Sequence, residues 1–407
     1  LDVGDNRLQG QARLPAGSAL SSLNSQWTLK APKLAGLSPL LGLLQAGSQL
    51  SGAAEGQLSL NISRPDKQWQ LGSAGQMNLQ QLQLSGPAAL SLRKGQLRWA
   101  ADSRLDAPLS LIGELQSLNI AGQQASRLDL DLQGSWAEHR LKLALLGQVM
   151  PTRTKGSTPI AGEASLALSG QLASAPLQTW LDDRPLDWRA RIGQSRLRPA
   201  NNSALPDWFN ASGLSLQAQA SRSTGLSLLA LAPGRAELAG AQLRWSELQW
   251  QSARSAAEHA SLRAEIEMEP LAVAPLLKRW QPDFGWGGTL VVGGKVSVRT
   301  VPQLDVDIVF ERAQGDLSVT DERGVQALGL TDLRLALSAR DGLWQFTQAL
   351  AGSNLGSLGG AVTVHASPRA LWPAPGARLE GVLQANVANL GTWGGWVPPG
   401  WRLGGTL

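Results

Sequence analysis

The stretch RLDLDLQGSWAEHRLKLALL, residues 127–146, decides the fold class. Leu128, Leu130 and Leu132 alternate with polar residues, and the same alternation returns after a turn, where every second residue from Leu141 to Leu145 is leucine. Successive side chains of a β-strand point to opposite faces, so this pattern predicts two strands, each with one apolar face and one polar face.

The same alternation recurs along most of the chain. Breaks that contain Gly or Pro separate the copies, as at 85–89, 231–237 and 322–326. Further clear examples lie at 58–62, 166–168, 262–268, 304–310 and 333–337. At about 12 residues for a strand and its turn, the chain holds on the order of 30 strands. The sequence therefore predicts an all-β fold of meandering strands.

Three segments depart from the alternation and carry apolar residues at helical spacing. They lie at 31–45, 270–281 and 385–396, and each leads into a strand start that contains glycine. Two of these starts are identical, GGTL at 287–290 and 404–407, which favours an internal repeat. We therefore expect three segments: 1–175 with a short helix near 33–45, 176–290 with one near 271–281, and 291–407 with a helical insert near 386–396 followed by the start of a further strand.

The composition excludes several classes of site. The chain has no cysteine, so it has no disulfide and no thiolate chemistry. Its net charge is +5, but the basic residues are scattered among 31 acidic ones, and a nucleic-acid binder would cluster them on one face. The densest patch is WRARIGQSRLR at 188–198, where Arg189 and Arg191 share one strand face. That face is either simply solvated or in contact with an anionic lipid headgroup.

No arrangement of catalytic residues is recognisable. His139, His259 and His365 are far apart, without acidic residues at metal-ligand spacing, and no phosphate-binding or nucleophile motif is present. Asp182 and Asp183 are adjacent, and neighbouring acids in a loop point apart rather than at one substrate bond. We therefore expect no enzyme, no cofactor, no metal and no small-molecule substrate.

The apolar faces of so many strands must be covered. Burying one Leu, Ile or Val side chain stabilises a protein by about 1.5–3 kcal/mol, and soluble proteins rarely leave large apolar patches exposed. A second sheet could cover these faces, as could the interior of a β-helix, or the sheet could form an open trough filled by acyl chains. No apolar run is long enough for a transmembrane helix. The chain begins without Met, and we expect it to be part of a longer protein.

Several stretches resemble one known family. The runs NRLQGQARLPAG, LNSQWTLKAPKLAGLSPLLG and LSGAAEGQLSL within 6–60 are similar to the central region of the TamB proteins. So are GSWAEHRLKLAL (134–145), LGLTDLRLAL (328–337) and NLGTWGGWVPPGWRLGGTL (389–407). These proteins are inner-membrane subunits of the bacterial translocation and assembly module, and they belong to the AsmA-like group, relatives of the bridge-like lipid transfer proteins.

The resemblance implies a fold and a function. It implies an elongated antiparallel sheet curled into a hydrophobic groove, the β-taco, in the periplasmic region of an inner-membrane-anchored protein of a Gram-negative bacterium. Such a protein carries phospholipids towards the outer membrane and meets a TamA-type outer-membrane barrel through a C-terminal region that lies outside this chain. The family has no catalytic residues to carry over.

The alternation and the resemblance together predict a groove lining, although ordinary core packing would leave the same pattern. The predicted lining residues are Leu128, Leu130, Leu132, Leu141, Leu143, Leu145, Ile266, Met268, Val306, Ile308, Leu333 and Leu335. Two other functions stay open. One is a scaffold that binds unfolded outer-membrane proteins at strand edges without lipid. The other is a secreted β-helical adhesin or polysaccharide enzyme with a filled interior.

Overall fold

The structure is a computed structural model, and it describes most of the chain. The described residues are 2–13, 22–38, 48–65, 68–86, 89–120, 123–149, 160–200, 207–253, 258–281, 285–321, 324–367, 370, 372–391 and 404–407. Contacts divide the chain into two compact units, Leu1–Ser227 and Leu228–Leu407. The division into three segments expected from the sequence stays a prediction.

The first unit consists almost entirely of strands. They are β1 (Asp2–Val3), β2 (Asn6–Arg13), β3 (Ser22–Ala31), β4 (Gln49–Ser63), β5 (Gln70–Ser85), β6 (Leu90–Asp102), β7 (Pro108–Ile120), β8 (Gln123–Ser135), β9 (His139–Val149), β10 (Ile160–Leu172), β11 (Leu186–Pro199), β12 (Phe209–Ala211) and β13 (Leu214–Ser221). A 3-10 helix spans Leu34–Leu37, and helix α1 spans Pro176–Leu181. Strand β14 (Gly225–Leu231) contains the boundary between the units.

The second unit has the same character. Its strands are β15 (Gly234–Leu238), β16 (Ala241–Gln251), β17 (Ser261–Ala272), β18 (Trp286–Gly288), β19 (Val291–Arg299), β20 (Asp305–Gln314), β21 (Leu317–Asp321), β22 (Gly324–Ala327), β23 (Leu330–Arg340), β24 (Leu343–Gly352), β25 (Gly356–His365) and β26 (Leu379–Asn386). Helix α2 spans Ala274–Trp280.

Both units are antiparallel meanders. From β1 to β11 each strand pairs with the next one along the chain, and β11 pairs with β12 and β13. In the second unit the order is β15, β16, β17, β19, β20, β23, β24, β25, β26. Strands β18, β21 and β22 form a separate small sheet. The predicted all-β fold, an antiparallel sheet with short helical inserts, is confirmed.

A line of irregular positions crosses four strands of the first unit. Gln81 on β5 and Ser117 on β7 have positive φ angles of 48° and 52°, a region that residues other than glycine rarely occupy. The ladder omits these residues, together with Arg93 on β6 and Ser126 on β8. Such irregularities bend a strand and shift its alternation by one residue.

The helical inserts follow strands of the sheet, and the two described ones follow β3 and β17, which are paired on both sides. The 3-10 helix Leu34–Leu37 falls in the first predicted segment, whose residues 39–45 lie outside the described part. Helix α2 falls in the second. In the third, β26 ends at Asn386, and residues 392–396 lie outside the described part. Residues 404–407 are not a strand, but Leu407 exchanges both backbone hydrogen bonds with Val387, at 2.7 and 2.9 Å.

Helix α1 was not expected from the sequence. It is short, and proline occupies its first turn, where the missing N–H costs nothing because that group has no partner within the helix. The run PLQTWL contains one turn and a half of helix, too short to give a visible period.

Candidate functional site

The predicted leucines of β8 and β9 come together on one face of the first unit. Leu128 lies opposite Leu145, Leu130 opposite Leu143 and Leu132 opposite Leu141. Directly opposed residues of an antiparallel pair share a face, so these six form a continuous patch. We call the face that carries them the first apolar face, and the one that carries Asp129 and Asp131 the polar face.

The first apolar face extends across the unit in rows perpendicular to the strands. The row through Leu132 comprises Gly10, Trp27, Leu58, Gly75, Trp99, Leu111, Leu132, Leu141, Leu168, Ile192 and Leu214. The row through Leu130 comprises Leu8, Leu29, Gly56, Met77, Leu97, Gly113, Leu130, Leu143, Leu166 and Ser195. Apart from Ser195, apolar side chains and glycines fill both rows.

The face carries no charge where it is described. On β3 to β11 the described positions of this face hold no Asp, Glu, Lys or Arg. Its few polar side chains are Ser25, Ser73, Gln123, His139 and Ser195. An antiparallel sheet with a solvated face normally carries charges there, so this face is built to meet something apolar.

Its leucines are nevertheless only half-buried. All six predicted leucines of β8 and β9 are intermediate in exposure, and no large side chain in the described part of the chain is less than 2 % exposed. The leucines of this face are therefore less completely buried than side chains in the interior of a packed core.

One edge of the face is closed by the first insert. Leu34 of the 3-10 helix is 4 % exposed and packs with Ala31 and Ala54, and Leu50 and Leu79 lie against this cluster. The 3-10 helix therefore covers the part of this face around Ala31 and Ala54. Leu130 and Leu143 are not among the residues of this cluster.

The line of irregular positions adds residues that strict alternation misses. Leu92 and Leu118 lie opposite each other beyond the irregular line, and they form a buried cluster with Ala125. Leu128 and Leu145 pack against that cluster. The sequence signal was a spacing of three in place of two, as between Ala125 and Leu128, which a search for strict alternation reads as the end of a strand.

The second unit has an apolar face of its own, which carries the other predicted residues. One row comprises Ile266, Val296, Ile308 and Leu337, and the next comprises Met268, Gly294, Phe310 and Leu335. We call this surface the second apolar face. It is less uniform than the first, because part of it is packed as a core.

Two predicted lining residues belong to that core. Val306 is 5 % exposed and packs with Ala339 and Trp344. Leu333 packs against the buried cluster that Trp286 and other residues of the small sheet form. At these positions the ordinary packing left open by the sequence is what the structure shows. Leu335, by contrast, is 41 % exposed.

The two arginines considered for headgroup contact lie on the polar face. Arg189 lies opposite Gln171 and Arg191 opposite Ser169, while Ala190 between them belongs to the first apolar face. Arg189 forms an ion pair with Asp187 at 3.2 Å. The structure therefore does not bring either arginine to the leucine rows.

Some charged side chains of the polar face form ion pairs. Arg127 contacts Asp129 at 2.7 Å and Glu114 at 3.7 Å. In the second unit, Arg340 contacts Asp305 at 3.0 Å. The hydrogen bond from Arg127 to Asp129 raises the pKa of the guanidinium. Exposed pairs of this kind contribute little to stability.

Comparisons with protein-family models, with curated proteins and with solved structures give no match for this chain. Within the described residues no group of His, Cys, Asp and Glu is arranged to hold a metal ion. A search of the described helices also finds none with the length and hydropathy that crossing a membrane requires.

Proposed function

We propose that the first apolar face binds phospholipid acyl chains and carries them along the sheet. The observation that supports this proposal is a face, several strands wide, that holds no Asp, Glu, Lys or Arg where it is described and whose leucines are only half-buried. Each CH2 group removed from water stabilises a complex by about 0.8 kcal/mol, so the burial of two acyl chains against these rows would stabilise the complex.

Acyl chains suit this surface better than a folded protein partner does. Rows of leucine and glycine give a smooth apolar surface without the charged rim and hydrogen-bonding groups that specify a protein interface. A flexible hydrocarbon chain needs no polar partner, and it can slide from one row to the next without breaking a hydrogen bond.

The setting we propose comes from the resemblance to the TamB proteins. In that setting the chain is a periplasmic segment of an inner-membrane-anchored bridge, and a TamA-type outer-membrane barrel receives the lipid. No charge change, covalent step or cofactor is needed for acyl chains to move along the face, so the proposed role is transport rather than catalysis.

The test is native mass spectrometry with lipid extraction after expression in a bacterial periplasm. Phospholipid should copurify with the wild type and be lost from Leu143→Asp, because burying a carboxylate against an acyl chain is costly. Gln148→Asp, on an exposed position of the same strand, is the matched control and should keep its lipid. Circular dichroism checks that both variants are folded.

Two results would sink the proposal. One is a wild type that carries no lipid and takes up none from vesicles. The other is a folded Leu143→Asp variant with as much lipid as the control. If Leu143→Asp does not fold, Leu143→Ser replaces it as the milder polar change.

A scaffold for unfolded outer-membrane proteins is the second candidate, and β26 favours it. This strand pairs with β25 on one side, and the described residues place no other strand along it. Leu379, Val382 and Leu383 are 69, 75 and 65 % exposed. An exposed apolar edge strand is a template for an added strand. Binding of extended outer-membrane peptides by lipid-free protein, lost on Val382→Pro, would favour the scaffold.

A further inference from the structure

Two tryptophans of the first apolar face lie over glycines of the neighbouring strand. Trp27 is directly opposite Gly10, and Trp99 is directly opposite Gly75. A methyl group added at Gly10 would overlap the ring of Trp27, and one added at Gly75 would lie 2.6 Å from Cζ2 of Trp99 and would also overlap the backbone oxygen of Gln57. Each ring therefore occupies the space that a side chain on the neighbouring strand would fill.

The indole N–H of each ring also has a hydrogen-bond acceptor within the sheet. The indole N–H of Trp27 donates to Ser25 Oγ at 3.0 Å, and that of Trp99 donates to Ser73 Oγ at 2.9 Å. Ser25 is 6 % exposed. Because the only donor of each indole is satisfied within the sheet, the exposed surface of the ring is purely apolar.

A related arrangement occurs further along the face, where His139 lies directly opposite Gly170. A methyl group added at Gly170 would overlap Nε2 of His139 and lie 2.7 Å from Nε1 of Trp188. The Trp188 N–H donates to Nε2 of His139 at 2.9 Å, so that nitrogen is the acceptor and Nδ1 faces the carbonyl of Ser135 at 3.3 Å. Here too a glycine leaves room for a ring on the neighbouring strand, and the indole N–H has a polar acceptor.

These rings belong to the surface that the leucines form. Trp27, Gly75 and Trp99 occupy the same row as Leu132 and Leu141. Both indoles are half-buried, as the leucines are. An indole ring that projected away from the sheet in this row would obstruct an acyl chain lying along it. An indole ring that lies against a glycine adds apolar surface without projecting from the sheet.

We propose that Trp27 and Trp99 contact the acyl chain directly and that Gly10 and Gly75 set the depth of the face by keeping these rings down. This inference rests on the proposed function and deepens it, because it assigns the contact to named side chains. Gly10 acts as a positioning residue: a methyl group there would lift the indole of Trp27 into the space of the acyl chain.

Fluorescence quenching tests the contact. Purified protein is titrated with vesicles of phosphatidylcholine whose acyl chains carry bromine, a short-range quencher of indole emission, and the bound phosphorus is counted separately. Wild-type emission should fall, and Trp27→Phe/Trp99→Phe should lose a large share of that fall when the variants are compared at equal bound phosphorus. Trp69→Phe/Trp180→Phe removes two indoles that lie outside the strands and are 41 and 40 % exposed, and it should quench like the wild type.

The depth of the face is tested by glycine substitution on β2, because the three atoms nearest to a methyl group added at Gly10 all belong to the Trp27 ring. Gly10→Ala should lower bound phosphorus several-fold, and Gly10→Ala/Trp27→Ala should restore most of it, because the lifted ring is gone. Gly72→Ala is the matched control, since a methyl group there meets its nearest atoms at an ordinary 3.6 Å on the polar face. It should bind lipid as the wild type does.

The outcomes separate this inference from the proposed function. Lipid bound in full, with quenching equal in the two double tryptophan variants, overturns the contact and leaves lipid binding intact. Gly10→Ala that binds as well as Gly72→Ala overturns the positioning role. Absence of bound phosphorus in the wild type overturns both proposals. Titration with brominated stearic acid distinguishes the phospholipid from a free fatty acid, since quenching by the acid alone would assign the face to single chains.

Discussion

The middle of the first apolar face and the small-sheet end of the second unit begin from the same sequence pattern and end differently. In the first, Leu130 and Leu143 face each other across two strands and stay half-exposed. In the second, Leu290 is 2 % exposed, within a cluster built from Trp286 and Val319. The difference lies in the segment after the strand, because β17 leads into α2 and the small sheet, whereas β8 leads only into a turn. The alternation of apolar and polar residues specifies that a strand has an apolar face. The segments inserted between strands then determine whether that face is buried as a core.

The largest expected effect is a difference in the free energy of unfolding between a leucine-to-alanine substitution in one region and the same substitution in the other. Leu290→Ala should lower the free energy of unfolding by about 3 kcal/mol, because it leaves a cavity in a packed cluster. Leu130→Ala should cost about 1 kcal/mol, since its side chain is only partly removed from water. Urea denaturation of the two variants measures both. Equal losses would mean that the first apolar face is as well packed as the core.

The next effect is protection by lipid. If acyl chains bind the first apolar face, a hundredfold excess of lipid over its dissociation constant stabilises the bound state by about 2.7 kcal/mol. Amides of β8 and β9 should then exchange with deuterium more slowly, while those of β21 and β22, in the packed small sheet, should not change. Hydrogen exchange with and without phospholipid measures this, and uniform protection across both regions would contradict it.

The all-β fold could be predicted from the sequence, but the degree to which each apolar face is buried could not. Leu128 to Leu132 indicate a strand because the period of two is local information. Whether Leu333 meets solvent or Trp286 depends on a distant segment earlier in the chain, and no local period reports that. The kink at Ser117 changes the spacing from two to three, so Leu118 could have been included by allowing one shift. The indole of Trp99 over Gly75 needs the register of two strands, which hydrophobic periodicity does not supply.

A smaller effect is expected at a buried polar contact within the first apolar face. His139 is 7 % exposed and accepts the indole N–H of Trp188 at 2.9 Å. His139→Phe leaves that donor without its partner and should cost about 1–3 kcal/mol. Trp188→Phe in the same background should add little, because the orphaned group is then absent. A double-mutant cycle in urea measures the coupling, and strictly additive losses would show that the hydrogen bond does not contribute.

The smallest expected effect concerns Asp183, in the loop after α1. A hydrogen bond from the Ser223 side chain, with a second from its backbone amide at 2.8 Å, lowers the pKa of this carboxyl. A carboxyl group with a lowered pKa in the folded state stabilises the protein above its unfolded pKa, near 3.9, and this stability is lost as the pH falls through the folded value. The urea midpoint of the wild type should therefore fall more between pH 5 and pH 2 than that of Asp183→Asn. Parallel pH profiles would contradict this. Because the group is exposed, the difference should be small compared with the gap between Leu290→Ala and Leu130→Ala, since burial of apolar side chains contributes more to stability than an exposed hydrogen bond does.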